Sequence, residues 1–389
     1  MPRTFRGPLS GVTVVELAGL GALPFATLKL ADMGADVIRV NRINEVPAEP
    51  PAAARFREFD RGRRSIAVDL KSPDGVELVL SMVEQADVLC EAFRPGVAER
   101  LGIGPDVALA RNPKLVYGRL TGWGQTGPLS HTAAHSLNYE AMTGAIGSIG
   151  PLGGPPVPLL QVLGDFAGGG LHLAYGVVCA LFEAQRSGKG QVIDAAMVDG
   201  VASIFTVFYS MARAGMHTEE LGTNLFDGGS PFYNVYETFD SKHITLAPIE
   251  PHFYVQLLEQ LGLDPQSLPD QYDQSGWPVI RERVAAAVRT KTRAEWQTQL
   301  EGTDVCFAPA LTFNEARHHP HNAAREMFID TPDDNPDGYQ VAPAPRLSRT
   351  PGEARPSYDY EGADTDSVLG EFNFDPAKIA TWRAAGVIA

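Results

Sequence analysis

The sequence predicts an α/β fold in which helices cover a mostly parallel sheet. Over the first 120 residues, β-branched runs alternate with helical apolar patterns, and the first run ends in a loop of small residues. Residues 11–40 form one βαβ pattern, with a strand at 11–17, a helix at 24–33 and a strand at 35–40. Strands joined by helices pair in parallel, and both faces of their sheet become buried. The next predicted elements are strand 65–70, helix 72–86, strand 87–90, helix 97–101 and strand 115–120.

The middle of the chain is rich in glycine. Residues 122–170 contain 12 glycines and five prolines and show little periodicity apart from a helix at 136–142. An irregular segment of this length is usually either functional or disordered, and its apolar content argues against disorder. We therefore look for functional residues in this segment first. A helix at 171–186, a strand at 191–196 and a helix at 199–214 follow it.

Residues 222–330 predict a second, α+β segment. Two strands at 233–239 and 242–248 are joined by Asp240 and Ser241, which suit a hairpin turn. The further predicted elements are helices 251–261, 279–289 and 293–301, a strand at 305–309, and two terminal helices at 365–372 and 376–384. After the strand at 305–309 and before the terminal helices, a tail at 330–366 is rich in Pro and Asp and is long enough to wrap around a surface. A chain of 389 residues fits two or three domains.

The charge of the chain excludes several function classes. A net charge of −15 argues against proteins that bind nucleic acid or anionic membranes, because both usually carry basic surfaces. No signal-peptide pattern opens the chain, and no run approaches 18 uninterrupted apolar residues. The three cysteines are widely spaced, which favours a reducing compartment. We therefore expect a cytoplasmic protein without nucleic-acid or membrane partners.

Common cofactor and metal motifs are absent or degenerate. The chain has no phosphate-binding P-loop, no HExxH, no GxSxG and no EF-hand sequence. Gly19 and Gly21 precede a helix as in a dinucleotide-binding loop, but Pro24 replaces the third glycine, so nicotinamide binding is not favoured. His318, His319 and His321 lack a Cys or carboxylate at ligand spacing, and we predict no metal site.

An acidic chain needs a local basic patch to bind an anion. Residues 61–71 contain four basic residues and one acidic residue, Arg39 and Arg42 lie at the end of the second predicted strand, and Arg94 lies at the end of another. Ligands of open α/β sheets bind at the carboxyl ends of the strands, and guanidinium groups suit phosphates. This placement favours a phosphate-bearing ligand over the alternative, a solvated charged face.

Two titratable residues stand out in the glycine-rich segment. His135 lies at the start of a predicted helix, and the glycines around Asp165 are expected to let a ligand approach the backbone. Both lie in motifs that resemble the family III coenzyme A transferases and, within that superfamily, the α-methylacyl-CoA racemase branch. The motifs that carry the resemblance are 121–128, 135–139, 164–166, 188–200, 227–233 and 249–253. The resemblance extends from Gly7 to about Arg349.

The resemblance implies a fold and an assembly. It implies a large Rossmann-like domain at 1–205, completed by a C-terminal return at 331–389, a linker at 206–222 and a small α+β domain at 223–330. It also implies an interlocked homodimer, in which the large domain of one subunit meets the small domain of the other at the active site. No NAD and no separate cofactor are implied, because CoA is part of the acyl-CoA thioester substrate.

The resemblance further implies a racemase reaction of lipid and fatty acid metabolism. His135 and Asp165 match the two acid/base residues that move the proton on C2 of a 2-methylacyl-CoA, and Glu250 matches the carboxylate that hydrogen-bonds the histidine. The residues matched to CoA contacts are Arg42, Arg63, Arg64, Lys71, Arg94 and Arg100, with Ser136 and Tyr139 close by. Backbone N–H groups at the helix start near Ser136 are candidate donors to the enolate oxygen.

Two other functions fit the same family resemblance. In a CoA transferase, Asp165 would attack the thioester and carry the acyl group as an anhydride. A non-catalytic CoA-binding protein is the other alternative, which the presence of His135, Asp165 and Glu250 disfavours. Ser136 departs from the racemase pattern, which usually has Asp directly after the histidine, and this leaves the role of that side chain open. The apolar Met142, Leu152, Leu159 and Leu160 suggest a surface for a hydrophobic acyl chain, or ordinary packing.

Overall fold

The computed structural model describes residues 5–48, 59–331 and 338–389. The chain divides into two compact units. The first unit consists of Met1–Thr143, Leu159–Ile204 and Glu326–Ala389, and the second of Gly144–Pro158 and Phe205–Arg325. The predicted domain at 1–205 included residues 144–158, whereas in the structure these residues belong to the second unit.

A six-stranded parallel sheet forms the centre of the first unit. Its strands are β1 (Thr13–Leu17), β2 (Asp36–Asn41), β3 (Arg63–Ala67), β4 (Val88–Glu91), β5 (Val116–Thr121) and β6 (Gln191–Ala196). Their order, β3-β2-β1-β4-β5-β6, is that of a doubly wound sheet, in which the strand order reverses between β1 and β4: β2 and β3 lie on one side of β1, and β4 to β6 lie on the other. The predicted mostly parallel sheet is confirmed, and the reversal point is where such sheets bind ligands.

Helices and the C-terminal segment cover the sheet. They are α1 (Ala22–Asp32), α2 (Pro73–Val83), α3 (Val97–Leu101), α4 (Pro105–Arg111), α5 (Ser136–Met142), α6 (His172–Ser187) and α7 (Met197–Ile204). Alternate side chains of the central strands enter opposite cores, as Val14 and Val15 show: Val14 packs with α1 and α6, and Val15 packs with α2 and the C-terminal residues. Both faces are therefore buried, as the apolar runs predict.

A π-helix at Val162–Leu171 precedes α6 without a break. We expected irregular chain here, because glycine disfavours helices. The glycines permit close packing instead: a Cβ at Gly170 would lie 2.7 Å from Phe25 Cδ1 and 2.8 Å from the Ala22 carbonyl oxygen. The π-helix therefore packs directly on α1, and a π-helix of this kind is often found at functional sites.

The second unit has its own sheet and core. Strands β7 (Asn234–Glu237), β8 (His243–Leu246) and β9 (Phe307–Pro309) form an antiparallel sheet in that order. Its helices are α8 (Thr206–Arg213), α9 (Pro251–Gln260), α10 (Trp277–Val288), α11 (Arg293–Leu300), α12 (Phe313–His318) and α13 (Pro320–Ala324). Phe232, Trp277 and Trp296 lie in the core. The predicted linker at 206–222 thus begins with a helix, and the predicted helix at 199–214 is two helices that meet at Phe205.

The C-terminal residues return to the first unit. Strands β10 (Phe328–Asp330) and β11 (Tyr339–Val341) form a hairpin, and helices α14 (Thr365–Glu371) and α15 (Pro376–Ala384) follow. The Asp364 carboxylate accepts a hydrogen bond of 2.9 Å from the Ser65 N–H, and Ile388 pairs with Val68. Trp382 and Ile388 enter the core on the α2 face, so the end of the chain completes that core.

The helical segment Val162–Ser187 is long and apolar enough to span a membrane by length and composition. A core helix of a soluble protein can meet the same criterion. One side of α6 is a core side, since Leu173 and Val177 are fully buried against the sheet. Its other side leaves Tyr175 70% and Phe182 63% exposed.

We expect Trp382→Ala to lower the free energy of unfolding by about 3–5 kcal/mol, because the indole is 4% exposed and its loss leaves a cavity. Urea denaturation followed by far-UV circular dichroism measures the change. Arg383→Ala is the control, since Arg383 lies on the same helix and its ion pair is with the exposed Asp366. Equal losses in the two variants would contradict the anchoring role of Trp382.

Candidate active site

A cavity of about 730 Å³ opens at the carboxyl edge of the parallel sheet in the first unit. The loops that follow β1, β4 and β5 line it, together with the segment before α5 and parts of the π-helix. Its lining residues include Ala18–Ala22, Arg42, Ala92–Pro95, Leu120–Trp123, Thr132–His135, Tyr139, Gln161, Asp165 and Met197. The cavity thus spans the reversal point between β1 and β4, as expected for this sheet.

The loop after β1 is held by a half-buried arginine. Arg39, on β2, donates from Nη2 to the Gly19 carbonyl oxygen at 3.0 Å, and its Nη1 pairs with the Glu16 carboxylate on β1. Gly21 has a φ of 63°, in the left-handed region that favours glycine, and α1 begins directly after it. The two interactions fix the cavity wall at the start of α1.

His135 and Asp165 both line this cavity. His135 is the residue before α5, it is exposed, and its backbone N–H donates to Asn138 Oδ1 at 3.1 Å. Asp165 projects from the π-helix, and its Oδ2 would lie 3.4 Å from a Cβ at Gly21. The structure therefore brings together the two predicted acid/base residues, which are 30 positions apart in the chain.

The environment of Asp165 raises its pKa above the ordinary value of an aspartate. Burial is the largest cause, because it disfavours the charged carboxylate. Glu140 raises the pKa further by charge repulsion, and His135 acts in the opposite direction. A carboxyl with a raised pKa holds a proton more readily near neutral pH, which suits a group that must both accept and donate one.

Arg42, Arg94 and Tyr139 also lie at the cavity. Arg42 follows β2 and Arg94 follows β4, and both side chains are exposed. The Tyr139 hydroxyl donates to the Ala134 carbonyl oxygen at 2.6 Å, and its ring packs edge-on against Trp123. Burial, followed by the charge of Asp165, raises the pKa of Tyr139. The cavity therefore has two cations at its edge and a fixed aromatic wall.

Comparisons with known proteins decide the family of this chain. The model of CoA-transferase family III matches residues 9–365. The chain belongs to CoA-transferase family III.

Individual relatives match over nearly the whole chain. An α-methylacyl-CoA racemase of Mus musculus is 44% identical, and one of Homo sapiens is 40% identical, each over 95% of both chains. The crystal structure of a CAIB/BAIF family protein from Brucella suis has a TM-score of 0.81 at 24% identity and covers 95% of this chain and 100% of its own. The fold of this family III chain is thus also found in a solved structure.

The family resemblance also pointed to Arg63 and Arg64 as CoA contacts, but the structure does not bring them to the cavity. They open β3, beside Val37 and Ile38, and therefore lie toward the amino end of the parallel sheet. Arg63 pairs with Glu16 and Asp60 at 2.7 Å, and Arg64 pairs with Asp36 at 2.6 Å and with Glu371 at 2.7 Å. Both are buried, and acidic partners neutralise them, so this part of the predicted basic patch is a set of internal ion pairs.

The other predicted family III site residues have different environments. Lys71 and Arg100 are exposed and do not line the cavity. Ser136 is 3% exposed, and its hydroxyl bonds within the protein, which leaves no side-chain contact for CoA. Glu250 is an exposed residue at the start of α9 in the second unit, and its role remains a prediction.

The glycines around Asp165 also have a different role from the one expected. Gly164, Gly168, Gly169 and Gly170 are buried. A Cβ at Gly168 would lie 2.8 Å from Val201 on α7. These glycines therefore allow helices to pack on the π-helix and do not expose its backbone to a ligand.

Sequence reasoning missed several residues at this family III site. Trp123, Gln161 and Met197 line the cavity, and Arg39 fixes its wall from below the surface. Trp123 lies within a motif that carried the resemblance, so that motif was a usable signal. In the sequence, Arg39 is recognisable only as a cation at the end of a strand, and nothing in the sequence indicates that Glu16 lies beside it.

The buried ion pair between Arg63 and Glu16 is expected to make the stability of the fold depend on pH. Burial raises the pKa of Glu16, but Arg63 and Arg39 lower it, and the net pKa is below the ordinary glutamate value. The carboxylate therefore stabilises the fold at neutral pH, and this contribution is lost as the pH falls through the lowered pKa.

We expect Arg63→Met to lower the free energy of unfolding by about 3–5 kcal/mol at neutral pH, because it leaves a buried carboxylate short of a partner. The loss should shrink as the pH approaches that at which Glu16 is protonated. Urea denaturation at several pH values measures both effects. Arg42→Ala, at an exposed position, is the control and should leave stability unchanged. Intact stability with reduced CoA affinity in Arg63→Met would instead identify Arg63 as a CoA ligand.

Proposed function

We propose that this chain is an isomerase, an α-methylacyl-CoA racemase that interconverts 2R- and 2S-methylacyl-CoA. The observation that carries the proposal is the presence of His135 and Asp165 in one cavity at the carboxyl edge of the sheet. The relatives named as α-methylacyl-CoA racemases, at 40–44% identity, support the same reaction.

The reaction needs two groups that exchange a proton with C2. The thioester carbonyl acidifies the C2–H bond, so one group removes the proton to form an enolate, and the other returns a proton to the opposite face. The raised pKa of Asp165 allows its carboxyl group to hold a proton as well as to release one. Either residue can then act as the base while the other acts as the acid, as an enzyme that works in both directions requires.

Arg42 and Arg94 are the cavity residues that suit the CoA phosphates. Both are exposed arginines at its edge, and guanidinium groups bind phosphate oxygens in a bidentate manner. No separate cofactor is needed, because CoA arrives as part of the substrate. Met142 is 61% exposed and Leu160 is 74% exposed, so each is accessible to an apolar acyl chain.

We further propose that the protein acts as an interlocked homodimer in the cytoplasm, in lipid and fatty acid metabolism. The exposed Tyr175 and Phe182 on α6 support a dimer, because large apolar side chains on one helix face are usually covered in an assembly. In this assembly Glu250 of each second unit reaches the histidine of the other subunit, fixes its tautomer and favours its charged form.

Deuterium exchange tests the reaction. We expect a 2R-methylacyl-CoA incubated with the protein in D₂O to gain one deuterium at C2 and to yield the 2S epimer, both measured by NMR and chiral chromatography. A product that keeps its C2 proton would exclude the racemase. Transfer of CoA to an added free acid, with hydroxylamine trapping an acyl group on Asp165, would identify the transferase alternative, which the CoA-transferases among the relatives keep open.

Variants of the acid/base pair are the controls for this experiment. His135→Ala and Asp165→Asn should each slow epimerisation by about 10²–10⁴-fold and leave CoA binding largely unchanged. Glu77→Gln, at an exposed position on α2, should epimerise at the wild-type rate. An unchanged rate in His135→Ala would reject the role of that residue.

We expect Arg94→Ala to raise the Kd for CoA by about tenfold or more, because it removes a charge-assisted contact to phosphate. Isothermal titration calorimetry measures the Kd, and turnover at saturating substrate should change less. Arg111→Ala is the matched control, since this arginine on α4 binds Glu77 on α2 and Glu84 directly after α2, and it lies outside the cavity lining. Equal affinity in wild type and Arg94→Ala would contradict the assignment.

A further inference from the structure

The first turn of α5 packs on the π-helix without intervening side chains. A Cβ at Gly164 would lie 2.4 Å from Ser136 Oγ and 3.0 Å from Ser136 Cα, so only glycine fits at position 164. His135 immediately precedes Ser136 at the start of α5, and Asp165 immediately follows Gly164 in the π-helix. The contact therefore sets the separation of the two acid/base residues.

A buried hydrogen-bond network holds this contact together. Ser136 Oγ donates to Glu140 Oε1 at 2.7 Å and accepts the Asp165 N–H at 3.1 Å. Glu140 Oε1 also accepts the Gly164 N–H at 2.8 Å. Two successive backbone N–H groups of the π-helix are thus bound, one directly and one through Ser136, by a single carboxylate on α5.

Glu140 is a costly residue at this position. Its side chain is fully buried, and within the described part of the chain its Oε2 has no hydrogen-bond partner. A buried carboxyl with an unpaired oxygen destabilises a fold relative to a neutral or apolar side chain. A neutral side chain could accept the same two hydrogen bonds, so these bonds alone do not explain a buried carboxyl at this position.

We propose that Glu140 is a positioning residue, which acts through Ser136 and Gly164 to hold the backbone that directs the Asp165 carboxyl into the cavity. The inference deepens the proposed racemase reaction and depends on the acid/base role of Asp165. It also accounts for Ser136: a serine both donates to Glu140 and accepts from Asp165, whereas an ionised aspartate could only accept and would repel Glu140.

The charge of Glu140 has a second effect on Asp165. After burial, it raises the pKa of the Asp165 carboxyl, and His135 opposes this effect. The loop after β1 and helix α7 also pack near the π-helix, but they present Gly21 and Met197 to the cavity, and neither residue titrates. On α5, Tyr139 is a further neighbour, and its pKa is raised in part by Asp165. Glu140 therefore both orients Asp165 and favours its protonated form.

The test uses Glu140→Gln, Ser136→Ala and the double variant of the full-length protein. Glu140→Gln keeps an acceptor for Ser136 and Gly164 but removes the charge, and Ser136→Ala removes the link to the Asp165 N–H. We expect each single variant to lower kcat by about 10- to 100-fold with less than about a threefold change in KM. The double variant should be no slower than the slower single variant, because both substitutions break one network.

Titration of Asp165 provides a readout that does not require activity. In protein labelled with ¹³C at aspartate carboxyl groups, the resonance lost in Asp165→Asn reports the pKa of this residue. We expect it to titrate at lower pH in Glu140→Gln, and the acidic limb of the kcat/KM profile should move in the same direction. Glu84→Gln, at an exposed position directly after α2, and Ser81→Ala, at a half-buried position on α2, are matched controls and should change neither property.

Three results would overturn the inference: independent, additive losses in the double variant, an unmoved Asp165 titration in Glu140→Gln, or losses of activity that only follow losses of folded protein in thermal denaturation. Failure of the racemase proposal is distinguishable from these. In that case wild-type protein would show no C2 exchange, while the Asp165 titration would still show whether Glu140 controls this carboxyl.

Discussion

Ser136 Oγ and Cα, at the start of α5, leave no room for a side chain at Gly164. This close contact between α5 and the π-helix fixes the positions of the elements that line the cavity. Because α5 touches the π-helix at Gly164, His135 and Asp165 are held by backbone packing and not by flexible loops. The remaining glycines of the π-helix let it pack on α1 and α7 as well. The loop after β1 leads into α1, and Met197 begins α7, and both line the cavity. The helices that form the cavity wall therefore pack on the same π-helix that holds Asp165.

Much of the fold follows from local sequence pattern. The central strands of the parallel sheet are predicted because they are short buried runs with side chains in two cores, and α5 is predicted at 136–142, where it is found. The π-helix was missed because its glycines suggest a loop, while the tertiary contacts that favour a helix there come from α1, α5 and α7. The short α12 and α13 were missed because their apolar pattern is too brief to show a helical period.

Site residues that lie in recognisable motifs could be predicted from the sequence. Residues whose environment depends on ion-pair partners distant in the sequence could not. His135 and Asp165 are recognisable in the sequence. Arg63 and Arg64 looked like phosphate ligands because Glu16, Asp36 and Glu371, which neutralise them, lie 28 to 307 positions away. Glu140 was missed because a carboxylate in a helix is usually exposed. Its spacing of four residues from Ser136 was the one local signal.

The return of the last residues to the first unit has a consequence for synthesis. The core on the α2 face contains Trp382 and Ile388, and Ile388 pairs with Val68, 320 positions earlier. These residues are made about 300 positions after α2, so the first unit cannot complete that core until they have been synthesised. Residues 205–325 have emerged by then and contain their own core. Until then, the side of the parallel sheet that carries α2 lacks part of its apolar cover, and transiently exposed apolar surface of this kind favours aggregation during folding.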